Sequence, residues 1–351
     1  MPKHYTQRSL SSFIFPIVLA AVISIITIII GIGIGSTTIP FSTILGSIVT
    51  FISRDPIEND SVFNIIWLIR APRIILAFIV GAALAMCGAA FQGLLKNPLA
   101  DPYTLGTSSG GALGAVLVIF LGIELPLIGK FTLPFVSMLF SLSSILLLLL
   151  LVKGFGGVNK LELLILAGVV FSSFIGATIS LIIAISGQEL RQVISWLLGS
   201  VSMRGWESIS LALPFIIIGF IIISLYAYEL NAFSLGEEHA HNLGVNVTKS
   251  KLIILIAASI TTGAAVAVSG TIGFVGLIVP HLLRAIYGGN YIKLIPLSFL
   301  YGGTFLVIAD IISRKIIQPI ELPIGVITAL IGAPFFAVII YISVRRRRNS
   351  A

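Results

Sequence analysis

Ile272-Gly-Phe-Val-Gly-Leu-Ile-Val-Pro-His-Leu-Leu-Arg-Ala-Ile286 is the stretch on which the architecture turns. It is apolar, but shorter than the roughly 20 residues that a helix needs to cross a bilayer. Nine longer apolar runs surround it, at about 11–34, 64–91, 103–122, 129–152, 161–185, 207–228, 250–270, 294–312 and 324–342. Both chain ends are basic, which favours placing both on the cytoplasmic side. Nine crossings cannot return a chain to the side it left. Counted as a short tenth span, with its ends shielded by protein, 272–286 resolves the conflict.

Composition makes lipid the solvent. Of 351 residues, 57% are hydrophobic and 10% charged, and the mean hydropathy is +1.13. The runs are continuous rather than alternating with period two, so helices and not barrel strands are expected. The first run follows Lys3 and Arg8 but is too long for the apolar core of a signal peptide and lacks a small-x-small cleavage site. It reads as a retained helix. The predicted fold is therefore an all-α polytopic membrane protein of about ten spans, residues 1–351 forming one transmembrane domain.

With ten spans, thirteen of the 21 Lys and Arg residues lie inside, including the tail cluster Arg345-Arg346-Arg347-Arg348 within the basic end 345–351. That cluster reads as a cytoplasmic anchor, so the formal charge of +8 gives no reason to invoke nucleic acid. Cys87, the sole cysteine, excludes an intrachain disulfide. The polar island at about 229–250 also falls inside. Within it Gly236 and Gly244 bracket a helix former of one to two turns, the shape of a handle for a soluble partner.

An internal likeness supports the count. Gly81-Ala-Ala-Leu-Ala-Met-Cys-Gly88 is similar to Gly263-Ala-Ala-Val-Ala-Val-Ser-Gly270, with Leu95 matching Leu277 and Pro98 matching Pro280 at the same offset. The two copies run in opposite directions across the membrane, as in an inverted repeat.

The chemistry-bearing residues are few. Gly106, Gly110 and Gly114 share a helical face and read as a packing surface. They are not a phosphate loop, and no G-x-x-x-x-G-K followed by Ser or Thr occurs, so the chain has no ATPase motif of its own. His239 and His241 fall on different faces, His4 and His281 lie far apart, and the spans offer no ligand cluster, so no metal site is expected. A metal moved by this chain must arrive in a chelator. Asp310 and Glu162 sit near span ends, and the lack of a carboxylate at mid-span argues against ion coupling. Outside, Arg70, Arg73, Arg314 and Lys315 read either as snorkelling anchors or as a basic rim that pairs with an acidic delivery protein.

Five motifs then converge: Leu68-Ile-Arg-Ala-Pro-Arg73, Gln92-Gly-Leu-Leu-Lys-Asn-Pro-Leu-Ala-Asp-Pro-Tyr-Thr-Leu-Gly106, Leu235-Gly-Glu-Glu-His-Ala-His-Asn-Leu-Gly244, Gly273-Phe-Val-Gly-Leu-Ile-Val-Pro-His-Leu-Leu-Arg284 and Glu321-Leu-Pro-Ile-Gly-Val-Ile-Thr-Ala-Leu-Ile-Gly-Ala-Pro-Phe335. In this order, over nearly the whole chain, they resemble the ferric-siderophore and cobalamin ABC permease family. The resemblance implies a ten-helix subunit in a bacterial cytoplasmic membrane. It also implies a second permease subunit, two cytoplasmic ATPase subunits that use ATP and Mg, and an extracytoplasmic substrate-binding protein. The chain itself is then a transport subunit and not an enzyme, and it binds no cofactor.

By the same resemblance, Gly236, Glu237, Glu238, Ala240, Leu243 and Gly244 take the ATPase-coupling role. Arg70, Arg73 and Arg314 take the docking of the binding protein. Asn97-Pro98, Asp101-Pro102 and Val279-Pro280 interrupt helices near the path, and read equally as gates or hinges or as fixed turns. The expected cargo is an iron chelate, with cobalamin or haem as the alternative in the same machinery. An ion-coupled carrier and a structural scaffold are the readings from other classes.

Overall fold

The computed structural model describes residues 4–35, 39–53, 61–154 and 161–349. Helices carry the chain: α1 (His4–Gly33), α2 (Phe41–Ser53), α3 (Ser61–Leu94), α4 (Thr107–Leu121), α5 (Thr132–Gly154), α6 (Leu161–Ile185) and α7 (Leu190–Leu197). They continue as α8 (Gly205–Leu225), α9 (Ala227–Ser234), α10 (Glu237–Asn242), α11 (Val247–Ser269), α12 (Val275–Tyr287), α13 (Tyr291–Lys315) and α14 (Ile324–Asn349). Among the described residues, seven helices are long and apolar enough to span, and α4, α12 and the Ile324–Ile339 part of α14 are shorter apolar segments. Seven and three give ten apolar helical segments, in keeping with about ten spans, and residues 275–286 of the short apolar stretch lie in α12. Arg345–Arg348 lie within the last turns of α14; their side chains, and residues 350–351, lie outside the described residues.

The most enclosed helix is α3, packed by α13, α12, α11 and α8. Lipid tails are as apolar as leucine, so helices in a membrane associate by close packing and hydrogen bonds rather than by the hydrophobic effect. Close packing here depends on glycine. A Cβ at Gly81 would overlap the Gly302 carbonyl on α13, and one at Gly88 would overlap Gly276 on α12. Hydrogen bonding is supplied by α5, whose Ser137, Ser141 and Ser144 donate to the carbonyls of Gly111 (2.9 Å), Thr107 (2.8 Å) and Gly106 (2.7 Å). The Gly106, Gly110 and Gly114 face is accordingly a packing surface against α5.

The helix pairs repeat. α3 packs on α12 and α13, which pack on each other; α11 packs on α4 and α5, which do likewise. Gly81 meets α13 as Gly263 meets Ser141 of α5. Pro98 lies in a turn beyond α3, whereas Pro280 lies inside α12, which runs on unbroken through it. The two prolines are not equivalent, and Val279-Pro280 does not interrupt a helix.

Local chemistry explains the remaining irregularities. Pro72 cannot donate to the helical ladder, and the turn before it (Ile65–Arg70) widens to a π-helix, the Ala71 N–H reaching Ile66 O. Helices α2, α7 and α9 were not legible as separate elements from hydropathy, being short or continuous with longer apolar runs.

Candidate functional site

The polar island folds as α9, a turn at Gly236, then α10. Gly236 (φ +120) and Gly244 (φ +85) both occupy backbone conformations that side chains disfavour, which is why glycine stands at each end of α10. The Val245 N–H bonds Ala240 O (3.0 Å) and the Gly244 N–H bonds His241 O (2.9 Å), a Schellman closure. Asn246 then caps α11 by accepting from Lys249 N at 3.0 Å. Ala240 is buried, while Glu238, His239, His241 and Leu243 face outward. Glu237 turns inward to Lys251, a buried lysine, at 2.7 Å. The result is a rigid knob with an exposed apolar pair, Leu235 and Leu243, among polar groups.

The knob is fastened to the spans. On α9, Leu230 and Phe233 are buried. Asn231 accepts from Tyr291 N (2.8 Å) and donates to Asn290 Oδ1 (3.0 Å), so the start of α13 is tied to the base of the island.

Asn97, Pro98 and Pro102 lie in the link 95–106, at the same end of α3. Asn97 Oδ1 accepts from Leu99 N (2.9 Å) and Asp101 Oδ1 from Tyr103 N (2.8 Å), so two side chains fix successive turns. Asp101 is buried, and desolvation pushes its pKa up to about 6 against the pull of the Tyr103 N–H.

Pro280 raises a question that the sequence did not. Without an N–H it leaves the Gly276 carbonyl without its intrahelical donor. Gln92 of α3 supplies one, its Nε2 donating to Gly276 O (3.1 Å) and, more distantly, to Leu277 O (3.4 Å). Gln92 was only one letter of a motif in the sequence reading. The signal that would have singled it out is a buried amide at the level of a helix proline.

At the opposite end of α3 the three arginines do converge, but each has an internal partner. Arg70 donates to the carbonyls of Ile32 and Gly33, both at 3.1 Å. Arg314 donates to Gly31 O (3.1 Å) and to Ile34 O. Those of Gly31, Ile32 and Gly33 are the last carbonyls of α1, which lack helical donors and carry the negative end of the dipole, and Ile34 follows them directly. Asp310, fully buried, lies 2.9 Å from both Arg73 Nε and Arg314 Nε. Arg73 also bonds Glu321 at 2.8 Å and Ser202 at 3.2 Å. Only Arg73 and Glu321 bring this cluster to the surface. Simple snorkelling does not describe it.

Among the described residues no group of His, Cys, Asp and Glu is arranged to hold a metal. Comparison with known proteins then gives consistent likenesses. Residues 23–342 match the FecCD transport family. The Bacillus subtilis uncharacterized ABC transporter permease protein YvrB is 51% identical over 324 residues, 90% of each chain. The Halobacterium salinarum cobalamin import system permease protein BtuC is 42% identical over 272 residues, 78% of this chain and 72% of its own. The Bacillus subtilis Fe(3+)-citrate import system permease protein YfmE is 34% identical, covering 97% of this chain and 99% of its own. A solved structure of a metal-chelate type ABC transporter in an inward-facing conformation superposes with a TM-score of 0.79 at 33% identity, over 93% of this chain and 98% of that one.

Proposed function

The chain belongs to the FecCD transport family, a family of multi-pass ABC importer permeases, and from that premise we propose that it carries an iron chelate, of the ferric-siderophore kind, across a bacterial cytoplasmic membrane. The observation that carries this reading is the family match over residues 23–342. The Fe(3+)-citrate relative, similar over nearly its whole length, supports iron. The cobalamin relative favours a second reading, cobalamin uptake by the same machinery.

In this proposal two ATPase subunits engage the knob through Gly236, Glu237, Glu238, Ala240, Leu243 and Gly244, using ATP and Mg. Closure of the ATPase pair pushes a rigid body whose base, through Asn231, is hydrogen-bonded to the start of α13. Rigid-body displacement of packed helices then exchanges access between the two sides, nucleotide supplying the differential energy. Asn97, Pro98 and Pro102 belong to the moving inner end, while Pro280 stays within α12. Arg70, Arg73 and Arg314 dock the binding protein, with Arg73 and Glu321 the atoms it meets first. The outward apolar residues of α6, among them Val170, Phe174 and Leu181, suit lipid or a second permease subunit. Both chain ends and the knob lie on the cytoplasmic side.

Uptake of a radiolabelled ferric siderophore and of labelled cobalamin, in cells with and without this chain, tests the proposal. Iron uptake that depends on the chain and stops on ATP depletion is expected. Uptake that persists without ATP but collapses with an ionophore would replace the importer with an ion-coupled carrier.

A further inference from the structure

A cleft of about 590 Å³ opens beside the arginine cluster, between α7 and the ends of α4 and α5. Gln188, Arg191, Gln192 and Ser195 line one side, spaced so that they share one face of α7 and its approach. Arg204, half-buried, and Trp196, 4% exposed, also line the cleft. Ser202, also in the lining, accepts from Arg73 and donates to Glu321 (3.4 Å), so the cleft adjoins the docking cluster directly.

Its electrostatics are one-sided. Among the described residues neither Arg191 nor Arg204 forms an ion pair, whereas Arg73 and Arg314 are neutralised by Asp310 and Glu321. The neighbouring carboxylates Glu189 and Glu207 do not line the cleft, and Glu207 is bonded to Lys130 at 2.5 Å. Burial lowers the pKa of Arg204, a mark of a guanidinium short of compensating charge. The Trp196 Nε1–H is a further buried donor with no acceptor among the described residues. Natural proteins seldom leave a buried donor unmatched, and such a donor in the wall of a cleft that also carries two guanidiniums without a counter-ion among the described residues, with Gln188, Gln192 and Ser195 exposed along it, is the form of a ligand site.

We propose that this cleft binds an oxyanion-bearing ligand, the carboxylate-rich periphery of an anionic metal chelate, with Arg204 and Arg191 on its charge and Gln188, Gln192 and Ser195 on its remaining oxygens. The guanidinium fork suits paired carboxylate oxygens. An apolar wall from Ile119, Leu133 and Trp196 covers the ligand's hydrocarbon part. The inference rests on the transport reading above and deepens it, since it selects anionic chelates over uncharged ones and places their reception beside Arg73.

The test uses the full chain in lipid nanodiscs and equilibrium dialysis of ferric citrate labelled with radioactive iron, with iron-free citrate, inorganic phosphate and cyanocobalamin as competitors. Saturable binding is expected, and the double variant Arg191→Gln/Arg204→Gln weakens it by about tenfold or more. Arg204→Lys, which keeps the charge but loses the fork, is expected to bind more weakly than wild type and more tightly than the double variant, and controls for folding. Binding unchanged in the double variant overturns the proposal. So does equal competition by phosphate and iron-free citrate, which would make the cleft a bare anion site. Binding that behaves as expected in a chain that supports no ATP-driven uptake would sink the transport reading and leave the cleft standing. Uptake that proceeds normally while the cleft binds nothing does the reverse.

Discussion

At the residue scale, three buried polar side chains do work that apolar neighbours cannot. Gln92 repairs the carbonyl freed by Pro280, so Gln92→Leu removes the donor and leaves that group unsatisfied, at about 1–3 kcal/mol. Thermal unfolding of the purified variant is expected to show the loss, and an unchanged midpoint would mean that the bond is dispensable. Asp101, with a pKa raised to about 6, binds its proton more tightly when folded than when unfolded. Its contribution to stability is therefore greatest below about pH 4, declines as pH rises toward 6, and is a constant penalty above. Asp101→Asn keeps an acceptor for Tyr103 N and is expected to flatten that part of the stability profile, which a pH series of melting curves would check. Asp310 is different in kind. It holds two arginines at once, and buried pairs of this sort fix geometry more than they add stability.

At the scale of elements, helix meets helix through absences of side chain. Gly88 lets α3 lie against the backbone of α12. Gly88→Val is expected to push the two apart and cost about 1–3 kcal/mol through overpacking, read as a reduced folded yield in detergent. The knob obeys another constraint. Gly244 holds φ +85 and nothing lies within 4 Å of where a Cβ would sit, so conformation rather than space excludes a side chain. Gly244→Ile is thus expected to deform the end of α10 while leaving the spans inserted. ATP hydrolysis by the assembled importer would continue as cargo uptake falls severalfold, because the backbone strain of roughly 1–3 kcal/mol acts on the knob alone. Uptake equal to wild type would remove α10 from the coupling pathway.

At the scale of the whole molecule, the arginine cluster and the knob occupy opposite ends of α3 and α13. One end presents Arg73 and Glu321, the other Leu235, Glu238 and Leu243. Single thiols introduced at Leu243 and at Glu321, after replacing the buried Cys87 by serine, are expected to separate with a membrane-impermeant reagent: Glu321→Cys reacts in intact cells, and Leu243→Cys reacts only once the membrane has been opened. Labelling of both from outside would overturn the orientation.

The count of spans, their helical nature and the island were legible because they follow from one-dimensional quantities: run length set by bilayer thickness, charge at run ends and glycine at a turn. The short apolar helix at 275–287 was legible from its hydropathy. Pairings were not. Nothing in Arg70 or Arg314 marks them as caps for α1, since the carbonyls they satisfy lie far away in sequence, and only tertiary packing brings a helix end to a guanidinium. Likewise Pro98 and Pro280 look alike in register, yet one closes a turn and the other rides within a helix because Gln92 stands where it can supply the missing donor. Sequence settled that this chain lives in lipid, because solvation is additive over residues. Structure settled which polar groups answer one another, because a hydrogen bond depends on the position of two groups and sequence order fixes only one at a time.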